Sequence, residues 1–441
     1  MRIKNTFYLL LILLMYTACN SDDSTVPITN DTPESPTEPG TSTPNILLVI
    51  ADDMGLDATP GYAEGTEKPN MPNLEAMINS GIRFQNFWAA PVCTPTRATA
   101  LTGRYGAQTG VLGVGDEISL AETSIHRYLD NNSSGYSHAV IGKWHLSSDP
   151  ENPTDMGVGH YAGLLTGGVQ SYTDWRFTEN GTTTSITDYS TTKFTDLAID
   201  WVSEQSSPWF LWLAYNAPHT PFHLPPAELH SQGALPDDQA SIDANPTPYY
   251  LAALEAMDTE MGRLLNSLSE EDRNNTIVIF IGDNGTPGQV IQAPYVRRKA
   301  KGSLYQGGVN VPLIISGAGV NRTNAQEDAL VNSTDLFATI AELAGTPDPQ
   351  LNTSQSLADL LSSTNSNFRE YAYTDLDHEG NAGYTIRNQS YKLIVLGDGT
   401  QEFYHLSDDP YENSNLLNRD LSAEESEIRN QLLAAAEGFR N

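Results

Sequence analysis

Five short runs of consecutive apolar residues constrain what this chain can fold into more than any other feature. They are Ile46-Leu47-Leu48-Val49-Ile50-Ala51, Ala139-Val140-Ile141, Trp209-Phe210-Leu211-Trp212-Leu213, Thr276-Ile277-Val278-Ile279-Phe280-Ile281 and Pro312-Leu313-Ile314-Ile315. A strand with one face in water alternates apolar and polar residues, whereas a run with no polar face must be covered on both sides. Helical patterns stand between the runs, at Met71 to Ser80, Thr192 to Glu204, Pro248 to Ser267 and Ser333 to Ala344. Such alternation predicts an α/β fold with a large, mainly parallel sheet flanked by helices. The last part of the chain changes character. Short runs at Tyr371-Ala372-Tyr373, Gly383 to Arg387, Tyr391 to Leu396 and Glu402 to His405 are separated by turn residues. They predict a smaller C-terminal antiparallel sheet, closed by a helix near Ser422 to Phe439. The division is therefore an α/β domain over residues 45–345 and a C-terminal subdomain over 346–441.

The first residues have a different purpose. Arg2 and Lys4 precede an unbroken apolar run from Phe7 to Met15, too short to cross a bilayer as a helix. Tyr16-Thr17-Ala18-Cys19 resembles a bacterial lipobox, which implies a signal peptide over residues 1–18 and a lipidated Cys19. Residues 19–44 carry prolines and acids and no base, the composition of an extended, self-repelling tether. Asp22 and Asp23 look like a surface-export signal of bacterial lipoproteins. The expectation is an exported lipoprotein at the outer membrane or cell surface, alternatively periplasmic, touching the membrane only through the anchor at Cys19.

Charge narrows the partners. The chain has 55 acids against 23 bases, a formal charge of −32, which argues against nucleic acid and against docking to anionic lipid through a basic patch. Its two cysteines exclude a disulfide framework and a Cys₄ or Cys₂His₂ zinc site. With Cys19 lipidated, Cys93 is the one remaining thiol. Thr96 to Leu101 reads as a helix start, so Cys93 lies at or near a helix N-terminus, where an anion is favoured. A buried structural cysteine is the bland alternative; a lone thiol in an exported chain suggests a reactive or modified residue.

Ligands of open α/β sheets bind beyond the carboxyl ends of the strands. Four of the apolar runs lead directly into polar residues: Asp52-Asp53, Lys143-Trp144-His145, Asn216-Ala217-Pro218-His219 and Asp283-Asn284. Three carboxylates and an amide are hard oxygen donors that suit Ca²⁺ or Mg²⁺ better than zinc or copper. One Asp after a strand is by default a cap or turn former. Two acidic pairs beside Lys143, His145 and His219 are harder to explain that way. Arg297-Arg298-Lys299, just before Lys301, reads either as a solvated run or as an anion-steering patch.

Cys93-Thr94-Pro95-Thr96-Arg97 followed by Leu101-Thr102-Gly103-Arg104 resembles the signature of the formylglycine-dependent sulfatases, within the alkaline phosphatase-like superfamily. The likeness continues in family order through Gly142-Lys143-Trp144-His145-Leu146, Ala217-Pro218-His219-Thr220-Pro221, Gly282-Asp283-Asn284-Gly285 and Ala300-Lys301-Gly302. It departs at Gln306 and Asn310, where an acid and an arginine are usual. The resemblance implies a sulfuric ester hydrolase acting on sulfated polysaccharides or oligosaccharides. It implies oxidation of Cys93 to formylglycine by a maturation enzyme, and one Ca²⁺ held by Asp52, Asp53, Asp283, Asn284 and residue 93. It further implies attack on sulfur by a hydroxyl of hydrated residue 93 with Asp283 accepting the proton. His219 or Lys301 would protonate the leaving alcohol and His145 assist sulfate release, while Arg97, Lys143 and Lys301 neutralise charge. The alternatives are a phosphate or phosphonate ester hydrolase of the same superfamily and an inactive glycan-binding lipoprotein. Retention of every implied ligand disfavours the latter.

Overall fold

The first apolar run shows why such segments become central strands. In the computed structural model, which describes residues 43–440, it forms β1 (Asn45–Ala51), buried at every position. Ile46, Leu48 and Ile50 enter one apolar cluster, while Leu47, Val49 and Ala51 enter another on the opposite face. The two-residue period of a strand thus serves two helix layers at once. The expected signal segment, Cys19 and nearly all of the tether lie outside the described residues.

Nine further strands complete the large sheet: β2 (Ile82–Trp88), β3 (Ser137–Lys143), β4 (His160–Leu164), β5 (Trp175–Glu179), β6 (Thr182–Ile186), β7 (Trp209–Ala214), β8 (Thr276–Gly282), β9 (Leu313–Gly317) and β10 (Ala325–Asn332). Their order is β10-β2-β9-β8-β1-β7-β3-β4-β5-β6. The block β8-β1-β7-β3-β4 is parallel throughout. β9 is antiparallel to both its neighbours, so the fifth apolar run does not join the parallel block. Its approach explains this: Leu313 pairs with Ile281, so the chain after β8 turns back at the same sheet edge instead of crossing over.

The four helical patterns become helices Pro72–Ser80, Ser190–Ser203, Thr247–Ser267 and Asp335–Leu343. The C-terminal sheet runs β11 (Ala372–His378), β12 (Asn381–Arg387), β13 (Tyr391–Leu396) and β14 (Gln401–His405), antiparallel in chain order. Helix Ala423–Arg440 closes it by packing Leu432 and Ala436 against Tyr373, Ile386, Leu393 and Phe403. A second apolar cluster joins this sheet to the first. Val92, just before Cys93, packs with Leu304, Leu376, Ile394, Tyr404 and Leu406. Among the described residues no helix is long and apolar enough to cross a membrane.

Candidate active site

β8, β1, β7 and β3 are adjacent and parallel, so their carboxyl ends open at one sheet edge. Asp283-Asn284, Asp52-Asp53, His219 and the pair Lys143 and His145 stand at or beyond those four ends in that order across the sheet. Backbone hydrogen bonds fix their first residues: Asp283 donates its N–H to the Ala51 carbonyl and Asp52 donates to Ala217, each at 3.1 Å. Asp53 and His145 both adopt left-handed backbone conformations, with φ of 74° and 57°. Such a residue costs of order 1–3 kcal/mol and persists only where the surroundings over-determine it. At Asp53 the determinants are visible. Its N–H donates to Asp283 Oδ1 at 3.0 Å, and its carbonyl accepts from the Tyr250 hydroxyl at 2.8 Å.

Cys93 is the first residue of helix Cys93–Thr102, every residue of which is buried. The thiol is 1% exposed. Burial pushes it up from its ordinary value, while Lys143 and Lys301 pull the other way. Its sulfur, one Asp52 oxygen and one His219 nitrogen lie within 4.8 Å of one another.

Around it the charges form a closed network. Lys143 Nζ is 2.5 Å from Asp52 Oδ2, and Lys301 Nζ is 2.5 Å from Asp53 Oδ1. Arg97 donates to Asp283 Oδ2 at 2.8 Å and to the Lys143 carbonyl at 2.6 Å. Burial alone would raise the Asp52 carboxyl; Lys143, His219 and Arg97 outweigh it and hold Asp52 well below the usual range. Burial and the charge of Asp52 push Asp283 up instead. Burial also keeps His145 and His219 toward their neutral forms. His219 Nδ1 lies 2.7 Å from the Thr220 carbonyl, which can only accept, so Nδ1 carries the proton and Nε2 faces Asp53 Oδ2 at 3.9 Å. His145 Nε2 meets the Thr94 hydroxyl at 3.2 Å.

The donor set fits a hard cation. One oxygen from each of Asp52, Asp53 and Asp283 lies within 4.8 Å of the others, all buried. Asp52 Oδ1 and Asn284 Oδ1 are buried with no hydrogen-bond partner. The amide of Asn284 donates to Asp53 Oδ1 at 2.7 Å, which leaves its oxygen directed elsewhere. Unpartnered buried oxygens are costly unless something else satisfies them.

The structure brings together all ten residues singled out in the sequence: Asp52, Asp53, Cys93, Arg97, Lys143, His145, His219, Asp283, Asn284 and Lys301. It splits the basic run before Lys301. Arg297 and Arg298 are exposed, while Lys299 is buried and turned to the Glu412 carbonyl. Lys299 therefore belongs neither to a solvated run nor to a steering patch. Gln306 and Asn310 also have local partners: Gln306 accepts from the Trp88 indole at 3.1 Å and Asn310 donates to the Gln85 carbonyl at 3.0 Å. Sequence reasoning missed Thr94, Tyr250 and Tyr172, whose hydroxyl donates to the carbonyls of Asn216 and His219 at 2.8 and 2.6 Å. Thr94 lies inside the signature segment and was findable there; the two tyrosines carry no local signal.

A parallel sheet whose strand ends hold an acid cluster, matched by buried cations and a helix-terminal Cys93, defines an enzyme built to handle an anionic ester. Residues 44–346 match the model of the Sulfatase family, and residues 299–438 match the C-terminal part of N-sulphoglucosamine sulphohydrolase. The chain belongs to the sulfatase family and is a sulfuric ester hydrolase. It is 26% identical over 409 residues to the arylsulfatase of Klebsiella aerogenes, covering 68% of this chain and 87% of that protein. It is 28% identical over 476 residues to a sulfatase of Formosa agariphila, covering 85% and 84%. In fold it is similar to Ps i-CgsB in complex with k-i-k-neocarrahexaose, with a TM-score of 0.77, 22% identity and coverage of 90% and 93%. It is also similar to BT4656 in complex with D-glucosamine-2-N,6-O-disulfate, with a TM-score of 0.75, 22% identity and coverage of 90% and 98%.

Proposed function

We propose that this chain hydrolyses sulfate esters of carbohydrates, with residue 93 acting as a formylglycine and one Ca²⁺ held by Asp52, Asp53, Asp283, Asn284 and residue 93. The observation that carries this reading is the pair of unpartnered buried oxygens, on Asp52 and Asn284, within a crowd of three carboxylates. Hard oxygen ligands of that number and charge suit calcium. When bound, the ion would neutralise sulfate oxygens and acidify a neighbouring hydroxyl. The hydrated aldehyde would supply two hydroxyls on one carbon, one to attack sulfur and one to allow release, which a serine lacks.

The chain's own residues do the rest. A sulfate ester resists attack because its oxygens repel a nucleophile, so fixed positive charge must meet it. Lys143 and Arg97 are locked in place by Asp52 and Asp283, and so stand ready without reorganising. Lys301 is less buried than either; it pairs with Asp53 and also lines a cavity together with Arg297 and Arg298. His219 can hold or release a proton at Nε2, because Nδ1 is committed to Thr220. His145, paired with the Thr94 hydroxyl, can do the same beside Cys93.

Saccharide as the carrier of the sulfate is supported by BT4656 and Ps i-CgsB, solved with a disulfated glucosamine and a neocarrahexaose. The leader supports export as a lipoprotein anchored at Cys19, and the segment Cys93-Thr94-Pro95-Thr96-Arg97 supports maturation by a formylglycine-generating enzyme. The test is direct. Intact-mass analysis of active protein should show residue 93 lighter than cysteine by roughly 18 Da, and Cys93→Ser should be folded and lose at least about a thousandfold in turnover. Full activity from a chain with an unmodified thiol would refute the reading.

A further inference from the structure

The cavity on the Lys301 side of the site departs from the acidic character of the molecule. Its volume is about 690 Å³, within the range of about 300–1,000 Å³ that encloses a small ligand. One wall is the segment from Arg297 to Tyr305, and the other comes from the β11–β12 turn with the start of β12 and from the end of β13 with the β13–β14 turn. Arg297 and Arg298 stand exposed on the first wall, and among the described residues neither forms a hydrogen bond or ion pair. Arg104, Arg263, Arg322 and Arg419 each hold a carboxylate at 2.5–2.7 Å. In a chain with 55 acids and 23 bases, two adjacent guanidinium groups left without a carboxylate are available to a ligand.

The remaining lining suits a sugar. Leu376 and Leu396 supply an apolar surface for a ring face. Leu376 belongs to the cluster that packs Val92, so the cavity floor and the start of the Cys93 helix rest on common supports. Asp398 is the one acid on the lining, and its carboxylate accepts the Thr400 N–H at 2.8 Å, as a turn former does. On the far side, beside His145, a smaller cavity of about 190 Å³ is lined by Asp116 and Glu117, which would repel an anion. Charge therefore gives the centre a direction.

We propose that the Arg297–Arg298 cavity is a second anion subsite, which takes a sulfate or carboxylate on the sugar next to the one carrying the reacting sulfate. This deepens, and rests on, the reading of the chain as a carbohydrate sulfatase; the substrate is then an oligosaccharide with at least two anionic groups. The test uses 4-nitrophenyl sulfate, which has no second anion, as reporter substrate. Dextran sulfate and carboxymethyl dextran serve as inhibitors, with uncharged dextran as the blank. The polyanion should compete with the reporter through the shared Lys301 wall. In Arg297→Ala/Arg298→Ala its inhibition constant should rise roughly tenfold relative to KM for the reporter. Arg176→Ala, an exposed arginine elsewhere, should leave inhibition as in the wild type. Inhibition by either polyanion that the double substitution weakens supports the subsite, and the stronger inhibitor names the anion. An inhibition constant that moves no more than in Arg176→Ala overturns it. If the wild type turns over no sulfate ester, the sulfatase reading fails separately. Calorimetric binding of dextran sulfate that the double substitution weakens would still support the subsite, and unchanged binding would overturn it.

Discussion

At the scale of single residues the site is a balance of buried charges in which each cation has two tasks. Arg97 joins Asp283 to the Lys143 carbonyl, a span that depends on the planar fork of its guanidinium. Arg97→Lys keeps the charge and loses one of the two contacts. The expected result is a fall in kcat of about a hundredfold, with a loss of stability of about 2–4 kcal/mol, read by kinetics and urea denaturation. Crowded carboxylates make a second prediction: a chelator should lower the melting temperature and added Ca²⁺ should restore it, because an ion bound only by the folded state stabilises that state. Unchanged melting in metal-free protein would remove calcium from the account. Most of these residues were legible because each follows an apolar run and has a chemistry that its position alone does not require. The left-handed backbones of Asp53 and His145 were not: both residue types are enriched at φ > 0, yet only a small share of them adopt it, so the type alone does not mark the position. Nor were the unpartnered oxygens of Asp52 and Asn284, which exist only once distant segments meet.

At the scale of elements, the continuous apolar runs identified the central strands because burial on both faces leaves no room for polar alternation. The strands they missed are half-polar. β2 has a mixed burial pattern and β10 carries Gln326, Glu327 and Asp328, so neither stands out from a loop. The strands β4 and β5, five residues each and toward one edge of the sheet, are too short to stand out from the segment around them. Gly142 shows how tightly the central block is packed. It pairs with Ala214 on β7 and Gly163 on β4, has φ of 107°, and a Cβ there would sit 1.9 Å from the Ala214 carbonyl oxygen. Gly142→Ala should cost more than about 3 kcal/mol or abolish folding, measurable as a shifted urea midpoint. The loop after β7 contributes a pH dependence. Burial between Tyr172 and the Tyr189 hydroxyl pushes His223 down to about 4, against about 6.5 for an unfolded histidine. Between those values the unfolded chain binds a proton that the folded chain excludes, so stability should fall as pH drops from 6.5 to 4. His223→Gln should show a shallower decline in denaturation midpoint across that window.

At the scale of the molecule, the two sheets share an apolar cluster beside the site. The small sheet supplies Leu376 and Leu406 to the cluster that holds Val92, one residue before Cys93. Helix Ala423–Arg440 in turn holds the small sheet through Leu432, which is fully buried. Leu432→Asp places an unpaired charge in that core and should cost more than about 3 kcal/mol. Turnover should fall with it although the substitution lies far along the chain from every site residue; full activity in the variant would show that the small sheet is dispensable. The burial of Cys93 also has a consequence for the order of events in the life of the protein. Its helix is buried at every residue, and the bonds that hold it, such as that between the Thr99 and Ser333 hydroxyls, join segments 234 residues apart. Contacts of that separation close late. If residue 93 is converted as proposed, the maturation enzyme works against a clock, and every chain that folds before it is reached is sealed with the wrong side chain for good.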